Sequence, residues 1–555
     1  MTVNWRHFDI PLEQHPNYPS IMYHSRQFLI DPILGHYLFH HGINDYEKLT
    51  KFLTPSIKTD LYNPFLLNDM KKAVIRIIKA IRQKEKILIF GDYDVDGVTS
   101  TSILLLALKR FTADVSFRLP LRSEGYGLSA QAMEKVSDGT SLIITVDNGT
   151  SSHEAMRIAK ARGIDVIVTD HHEILGMHPD CLAFINPMRH DNNYPFTSLS
   201  GAGVALKVVQ ALYQVACKDF DLPFFEYVEL ATLGTIADLM PIKDENRVIC
   251  KIGLQKMNTS PLPVFKRIFD ETSVKDVDSS TIGFTLGPIF NSCGRIDDPN
   301  TAVNILTGVT TTKQQISFLI GLNKKRKELT KQQALIADTL ILQDQLYKDK
   351  VIVVFGDFHN GIIGIIASKI VEKYKKPSIV ISKTGTGSAR SVNGSGFSIV
   401  NVINTASMYL TKHGGHQAAA GLSIVPDINQ VNLFRKAVQL AANEETFNQA
   451  VLTYVKPINI CHFYDELFSD IDYLEPYGIN FPKPLFYCPP GMLPTFNTFG
   501  KNKEHAKLRY NNKEAIAFFK GELVKGLDNS QKVHTLFSTF CNQKKNFLIH
   551  SLMVK

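Results

Sequence analysis

Cysteine is scarce in this chain, and what there is follows no pairing pattern. Seven cysteines (Cys181, Cys217, Cys250, Cys293, Cys461, Cys488, Cys541) are scattered over 555 residues, an odd number with no CxxC. That argues against zinc–thiolate sites and fits a reducing cytoplasm. Long apolar runs are missing as well. No stretch approaches the ~20 residues that span a bilayer, and the opening MTVNWRHFDIPLEQ lacks the apolar centre of a signal peptide. There is no low-complexity tract and no short internal repeat. The remainder is ordinary for a globular protein, with 44% apolar and 21% charged residues. The length suggests about three to four domains. A net charge of +8 favours an anionic partner without naming one.

The chain is organised around ILIFGDYDVDGVTSTSILLLAL, Ile87 to Leu108. The apolar run Ile87–Phe90 reads as a buried strand. It breaks at Gly91 into an acidic turn carrying Asp92, Asp94 and Asp96. Gly97 and a Thr/Ser cluster close the turn, and an apolar helix is expected from Ile103. Carboxylates at alternate positions repel one another, so a hard divalent ion is the simplest companion; a solvated acidic turn is the plainer reading.

Residues 1–65 mix Pro, His and short helical patches and are expected to form an arm packed on the first domain. A helix with one apolar and one basic face, Asp69 to Arg82, leads into the first strand. Strand and helix then alternate. SLIITVDNG ends in Asp147, and IDVIVTDHHE ends in Asp170-His171-His172. Such alternation predicts a parallel, doubly wound sheet, with the strand-end groups converging on one edge. ELATLGTIADLMPI is mostly apolar with one interior acid, Asp238, costly unless paired or metal-bound. A long polar helix over 311–350 links this lobe to a second α/β unit, 351–425. Its cluster Lys324, Lys325, Arg326 and Lys327 reads as a solvated face, with a phosphate contact as the weaker alternative. A helical connector, 426–450, and a β-rich region, 451–555, complete the chain.

Oxygen ligands with one or two imidazoles suit Mn²⁺ or Mg²⁺ better than zinc. A pair of such ions is a familiar device for phosphoryl transfer. Each signal alone has a plain counterpart: His171 as a core histidine, Asp147 before Asn-Gly as turn chemistry. Together they carry more, because every one of these acids ends or interrupts an apolar run.

GDYDVDG, TVDNG, TDHHE and Asp238 occur in the order that marks the DHH phosphoesterase superfamily, which this sequence resembles. GSARS and GGHQAAAG resemble its DHH-associated domain. PFLLNDMKKAVIRI and LEPYGINFPKPLF narrow the resemblance to the RecJ family of single-strand-specific exonucleases, from about Asp31 to the C-terminus. The resemblance implies an α/β fold: a DHH parallel-sheet domain (66–310), a linker helix, a smaller α/β DHH-associated domain and a C-terminal OB-fold β-barrel. It implies 5′-to-3′ hydrolysis of single-stranded DNA to mononucleotides in DNA repair and recombination. Asp94, Asp96, Asp147, His171 and Asp238 match the metal ligands for two Mn²⁺ or Mg²⁺ ions, with Asp147 bridging. Asp92, Asp170 and His172 match positions in or beside that set. Arg122, Arg295, Ser388 and Arg390 match positions that hold a 5′-phosphate, and His416 one near the cleavage site. Many relatives carry His where this chain has Phe90, so one metal site is expected to be a ligand short, with Asp92 or water substituting. In the barrel, Lys501, Lys503, His505, Lys507 and Arg509 would supply charge, and Phe496, Phe499 and Tyr510 stacking platforms; a basic strand over core aromatics is the equal alternative. Partners implied are single-stranded DNA, a single-strand-binding protein and a helicase. Rival readings are a phosphodiesterase for short oligonucleotides or cyclic dinucleotides, a non-catalytic replication factor, and a pyrophosphatase.

Overall fold

The computed structural model describes residues 4–554 except 112, 217–224, 309–311, 449–450, 493, 528–530 and 542–544. Cys217 lies outside the described residues, as does the side chain of Cys541; the other five cysteines are free.

Strand β1 (Asn4–His7) and helices α1 (Tyr18–Gln27), α2 (Pro32–His40) and α3 (Tyr46–Leu53) open the chain. The first lobe follows, with α4 (Met70–Gln83), β2 (Lys86–Phe90), α5 (Val95–Arg110), β3 (Val115–Arg118), α6 (Ala130–Glu134), β4 (Thr140–Val146), α7 (His153–Ala161), β5 (Asp165–Thr169) and β6 (Ala183–Ile185). Its five strands form an all-parallel sheet in the order β3-β2-β4-β5-β6. Side chains alternate across it. Ile87 and Ile89 pack on one face with Ala73 and Ile77 of α4 and Leu104 of α5, whereas Leu88 and Phe90 pack on the other with Met133 of α6 and Met156 of α7. Burial on both faces is why these strands read as unbroken apolar runs. From β2 the chain passes to β3 on one side and returns to β4 on the other, so a crevice opens between the carboxyl ends of β2 and β4.

Two expectations about this lobe are corrected. The helix after β2 starts at Val95, not Ile103. Asp94 caps it, accepting from the Asp96 and Gly97 amides at 2.9 and 3.1 Å. The hydroxyls of Thr99, Ser100 and Ser102 bond carbonyls one turn back, so their buried polar groups are satisfied inside the helix. A Cβ on Gly97 would sit 2.4 Å from the Asp92 carbonyl oxygen, so glycine is required where the first turn presses on the loop. Asp238, expected inside a helix, instead ends one. After α8 (Gly201–Ala216), helix α9 (Val228–Ala237) stops at Asp238, and Leu239 turns the chain away at φ +59°.

Helices α10 (Asp244–Thr259), α11 (Pro263–Thr272), α12 (Gly287–Ile296) and α13 (Asn300–Thr307) complete the lobe, and the long α14 (Lys313–Gln343) leaves it. The second lobe comprises β7 (Ile352–Gly356), α15 (Ile363–Tyr374), β8 (Ser378–Ser382), β9 (Thr386–Arg390), α16 (Ile399–Thr405), β10 (Lys412–Gly415), β11 (Ala419–Ser423) and α17 (Ile428–Ala441). Its sheet runs β10-β11-β9-β8-β7 and is parallel only between β7 and β8. Beyond β12 (Val451–Tyr454), a seven-stranded sheet runs from Lys456–Pro457 to Val554. Among the described residues its hydrogen bonding is an open series, with the outermost strands not paired to each other.

The N-terminal arm does not have the first lobe as its main support. Its apolar residues Ile33, Leu34, Leu38, Leu49 and Phe52 share one core with Phe463, Leu467, Phe486 and Phe537 of the C-terminal domain, and β1 pairs in parallel with β12. The arm's helices carry apolar residues, but the face that accepts them lies more than 400 positions downstream, where sequence periodicity gives no pointer.

Candidate metal centre and substrate cleft

The predicted acids meet in the crevice between β2 and β4. His171, just past β5, is the hub: its Nε2 lies 3.0 Å from Asp147 Oδ1, 3.6 Å from Asp238 Oδ2 and 3.7 Å from Asp96 Oδ2. Asp96 sits on the first turn of α5 and caps α8, accepting from the Gly201 and Ala202 amides at 2.6 and 2.8 Å. Asp147 ends β4 in a left-handed conformation, φ +61°, which turns its carboxylate back over the sheet edge. Asp92, Asp94 and Asp147 form a second group whose oxygens lie within 4.8 Å of one another. Asp170 faces away from these, holding His172 Nδ1 at 2.7 Å and the Thr150 amide at 3.0 Å. Phe90 is fully buried among apolar side chains and offers no ligand.

The electrostatics of this arrangement are those of a cation site. Burial, and then the charge of Asp94, push the Asp96 carboxyl up to about 7. Asp92, Asp147 and Asp238 are held well above the usual carboxylate range by burial, and then by the charge of Asp94 on Asp92 and of Asp96 and Asp94 on the other two. Asp92 Oδ1 and Asp147 Oδ1 are buried with no hydrogen-bond partner. Burial holds the His171 imidazole down at about 4, that is, neutral and able to ligate. Burial opposes charge on His172 too, but Asp170 outweighs it and raises the ring to about 9. Carboxylates with unfilled lone pairs around a neutral imidazole fit divalent ions.

Across the cleft lies a row of guanidinium groups. Arg122 donates to the Gly294 carbonyl at 3.0 Å and stacks over Tyr93, 4.2 Å from the ring centroid. Arg295, at the end of α12, donates to the Gly361 carbonyl of the second lobe at 3.1 Å. Arg390 donates to Ser388 Oγ at 3.0 Å, and both side chains lie over Gly364 in the first turn of α15. Burial, and then Arg122 and Arg326, hold Arg295 down at about 10, so these cations share one field that Asp94 offsets only in part. An anion is the missing partner. His416 is not brought to this cluster. It is exposed at the β10–β11 tip, with no side-chain hydrogen bond or ion pair among the described residues.

Two residues of the site escaped the sequence reading. Tyr126 places its hydroxyl 3.1 Å from both the Asp147 carbonyl and His172 Nε2. Arg326, expected on a solvated face, turns inward, bonding Asn323 at 2.9 Å, while Lys324, Lys325 and Lys327 are exposed. The helical spacing of Asn323, Arg326 and Thr330 was the available signal. In the C-terminal domain, Tyr510 bonds Thr535 and Phe496 packs on the core, whereas Phe499, Phe518 and Phe519 are exposed. Lys507 and Arg509 are paired with Glu514.

Known proteins share this layout. Residues 86–235 match the DHH family N-terminal domain, 348–444 the DHHA1 domain, and 457–555 the RecJ OB domain. The single-stranded-DNA-specific exonuclease RecJ of Bacillus subtilis is 32% identical over 98% of this chain and 70% of its own length. The chain belongs to the RecJ family. Escherichia coli RecJ is 31% identical over 76% of this chain and 78% of its own. The crystal structure of Thermus thermophilus RecJ in complex with Mn²⁺ superposes with a TM-score of 0.83 at 25% identity, covering 99% of this chain and 79% of that one. A second RecJ structure, bound to manganese, gives 0.59 at 29% identity, over 68% of this chain and 95% of that one.

Proposed function

We propose that this RecJ-family chain is a metal-dependent exonuclease that degrades single-stranded DNA from its 5′ end and releases 5′-mononucleotides. The observation that carries this reading is the pairing, across one cleft, of a buried carboxylate–imidazole cluster with a guanidinium row that these acids offset only in part. Asp94, Asp96, Asp147, His171 and Asp238 would hold two Mn²⁺ or Mg²⁺ ions, with Asp92 compensating for the apolar Phe90. When bound, such ions activate a water and neutralise charge on the phosphate.

The chain's own groups do the rest. Arg122, Arg295, Ser388 and Arg390 grip the terminal phosphate and set the distance from strand end to scissile bond. His172, kept charged by Asp170, adds a cation at the rim and orders Tyr126. His416 is free to contact the strand from the second lobe. Exposed Phe499, Phe518 and Phe519 offer bases a stacking surface away from the reacting bond. The reading places the enzyme in the cytoplasm, in DNA repair and recombination, where a helicase would supply single strands and a single-strand-binding protein would share them.

The test uses a linear single strand labelled at its 5′ end, with Mn²⁺ or Mg²⁺, and an Asp147→Ala control. Wild type should release labelled mononucleotide early and spare the matching duplex. Asp147→Ala should lose several kcal/mol of transition-state stabilisation, on the order of 10³-fold in kcat. A strand bound but uncut in both metals would leave a binding protein, and cleavage of dinucleotides alone a small-substrate phosphodiesterase.

A further inference from the structure

Far from the acid cluster in sequence, and sharing no residue with it, a second group of metal-ligating side chains surrounds Asp9. Asp9 Oδ2 lies 3.7 Å from His15 Nε2, 3.6 Å from His36 Nε2 and 3.1 Å from His40 Nδ1. Its other oxygen is taken by the Ile10 amide at 2.7 Å, and His7 contacts its backbone carbonyl. The ligand atoms of Asp9, His15 and His36 all lie within 4.8 Å of one another. His36 is 2% exposed, and its Nε2 has no hydrogen-bond partner. A buried imidazole nitrogen left unpaired is costly. Donors on a tetrahedral zinc, bonded at about 2.0–2.1 Å, stand about 3.3 Å apart, close to the separations around Asp9 Oδ2.

We propose that Asp9, His15, His36 and His40 form a second metal site, for a borderline transition-metal ion of the zinc class, that fastens the N-terminal segment to α2. Three imidazoles and one carboxylate select such an ion over Mg²⁺ or Mn²⁺, which prefer oxygen. His36 and His40 are four apart on α2, which puts both rings on one helix face; Asp9 and His15 come from the segment just past β1. Three of these donor atoms already lie together, and His40 Nδ1, 3.1 Å from Asp9 Oδ2, would supply the fourth of a closed, structural shell. Phe8 shields it, with its ring centroid 4.9 Å from His36 and 4.8 Å from His40. Binding has one local cost. The Asn17 amide donates to His15 Nδ1 at 3.1 Å, and that bond is given up when Nε2 takes the metal and Nδ1 the proton. In return the ion joins β1, which pairs with β12, to the helix whose Leu34, Tyr37 and Leu38 lie in the core of the C-terminal domain.

The test uses the untagged full-length chain carrying Asp147→Ala, so that the acid cluster is disabled, stripped with a chelator and titrated with Co²⁺ alone. One equivalent should produce the intense visible bands of tetrahedral Co²⁺, which Zn²⁺ then bleaches. His15→Gln, in a loop, and His40→Gln, half-exposed, should each weaken binding by more than about tenfold, with circular dichroism unchanged. Zn²⁺ should also raise the melting temperature of the parent and not of His15→Gln. Absent tetrahedral bands, or bands that persist unaltered in both His variants, would overturn the assignment.

Discussion

At the scale of single residues, the acid cluster sets a trade between binding ions and stability. A carboxyl whose folded value is raised favours the folded state while protonated and opposes it once ionised. For Asp96, raised to about 7, the contribution is complete below the ordinary carboxylate range and is lost as pH rises through about 7. Between pH 5.5 and pH 8 the metal-free protein should therefore lose more stability than an Asp96→Asn variant, by on the order of a few kcal/mol, the comparison cancelling the opposite trend of the buried imidazoles held down at about 4. Mn²⁺ should remove that loss. Thermal melts of both proteins with chelator and with Mn²⁺ at both pH values check this, and a chelated loss no larger than the variant's would mean Asp96 is not strained. The cation row makes a separate prediction. Arg390→Gln should raise KM about ten- to hundredfold for strands with a 5′-phosphate and leave 5′-hydroxyl strands nearly unchanged. Equal losses on both would move Arg390 off the terminal phosphate. Asp94, Asp96, Asp147 and His171 were legible because each follows a strand within a few positions, so local pattern reports place. Arg326 and the imidazoles around Asp9 were not, because their neighbours come from other elements.

At the scale of elements, close backbone approach decides how the lobes meet. A Cβ on Gly361, in the loop before α15, would lie 1.8 Å from the Arg295 carbonyl oxygen. Gly361→Ala must therefore push the two lobes apart, since the obstacle is backbone and cannot rotate away. Moving the phosphate grip by an ångström relative to the acids should lower kcat/KM on the order of 10²-fold. Mn²⁺ binding to the acid cluster, measured by calorimetry, should be unaffected. If activity survives, the two lobes do not act on the same strand. The parallel sheet and the long α14 could be foreseen from apolar runs and from a stretch without Pro or Gly after Gly321. Helix ends were less legible. The onset of α5 rests on Asp94, a local N-cap hidden within an acidic turn, and the end of α9 on a left-handed Leu239, a conformation a branched apolar side chain does not announce.

At the scale of the whole molecule, one buried cation joins three regions. Arg247 of α10 donates to the carbonyls of Phe52, Leu474 and Pro476 at 2.9–3.0 Å and lies 3.3 Å from the centroid of the Phe52 ring. It therefore holds the arm and the C-terminal domain to the first lobe. Arg247→Met fills the space but strands three buried carbonyls, at roughly 1–3 kcal/mol each when left unmade. Urea unfolding should split into two transitions, with the C-terminal domain and arm leaving first. A single unshifted transition would show that other contacts suffice.

The shared core of arm and C-terminal domain also bears on how the chain is made. A ribosome extends at about 5–20 residues per second, and Val455 and Ile460, the first downstream members of that core, lie more than 400 positions beyond Phe52. The apolar faces of Leu34, Leu38, Leu49 and Phe52 thus emerge first and wait tens of seconds for their partners. During synthesis the arm's apolar faces stay uncovered until the C-terminal domain emerges, and the nascent arm calls for chaperone shelter meanwhile.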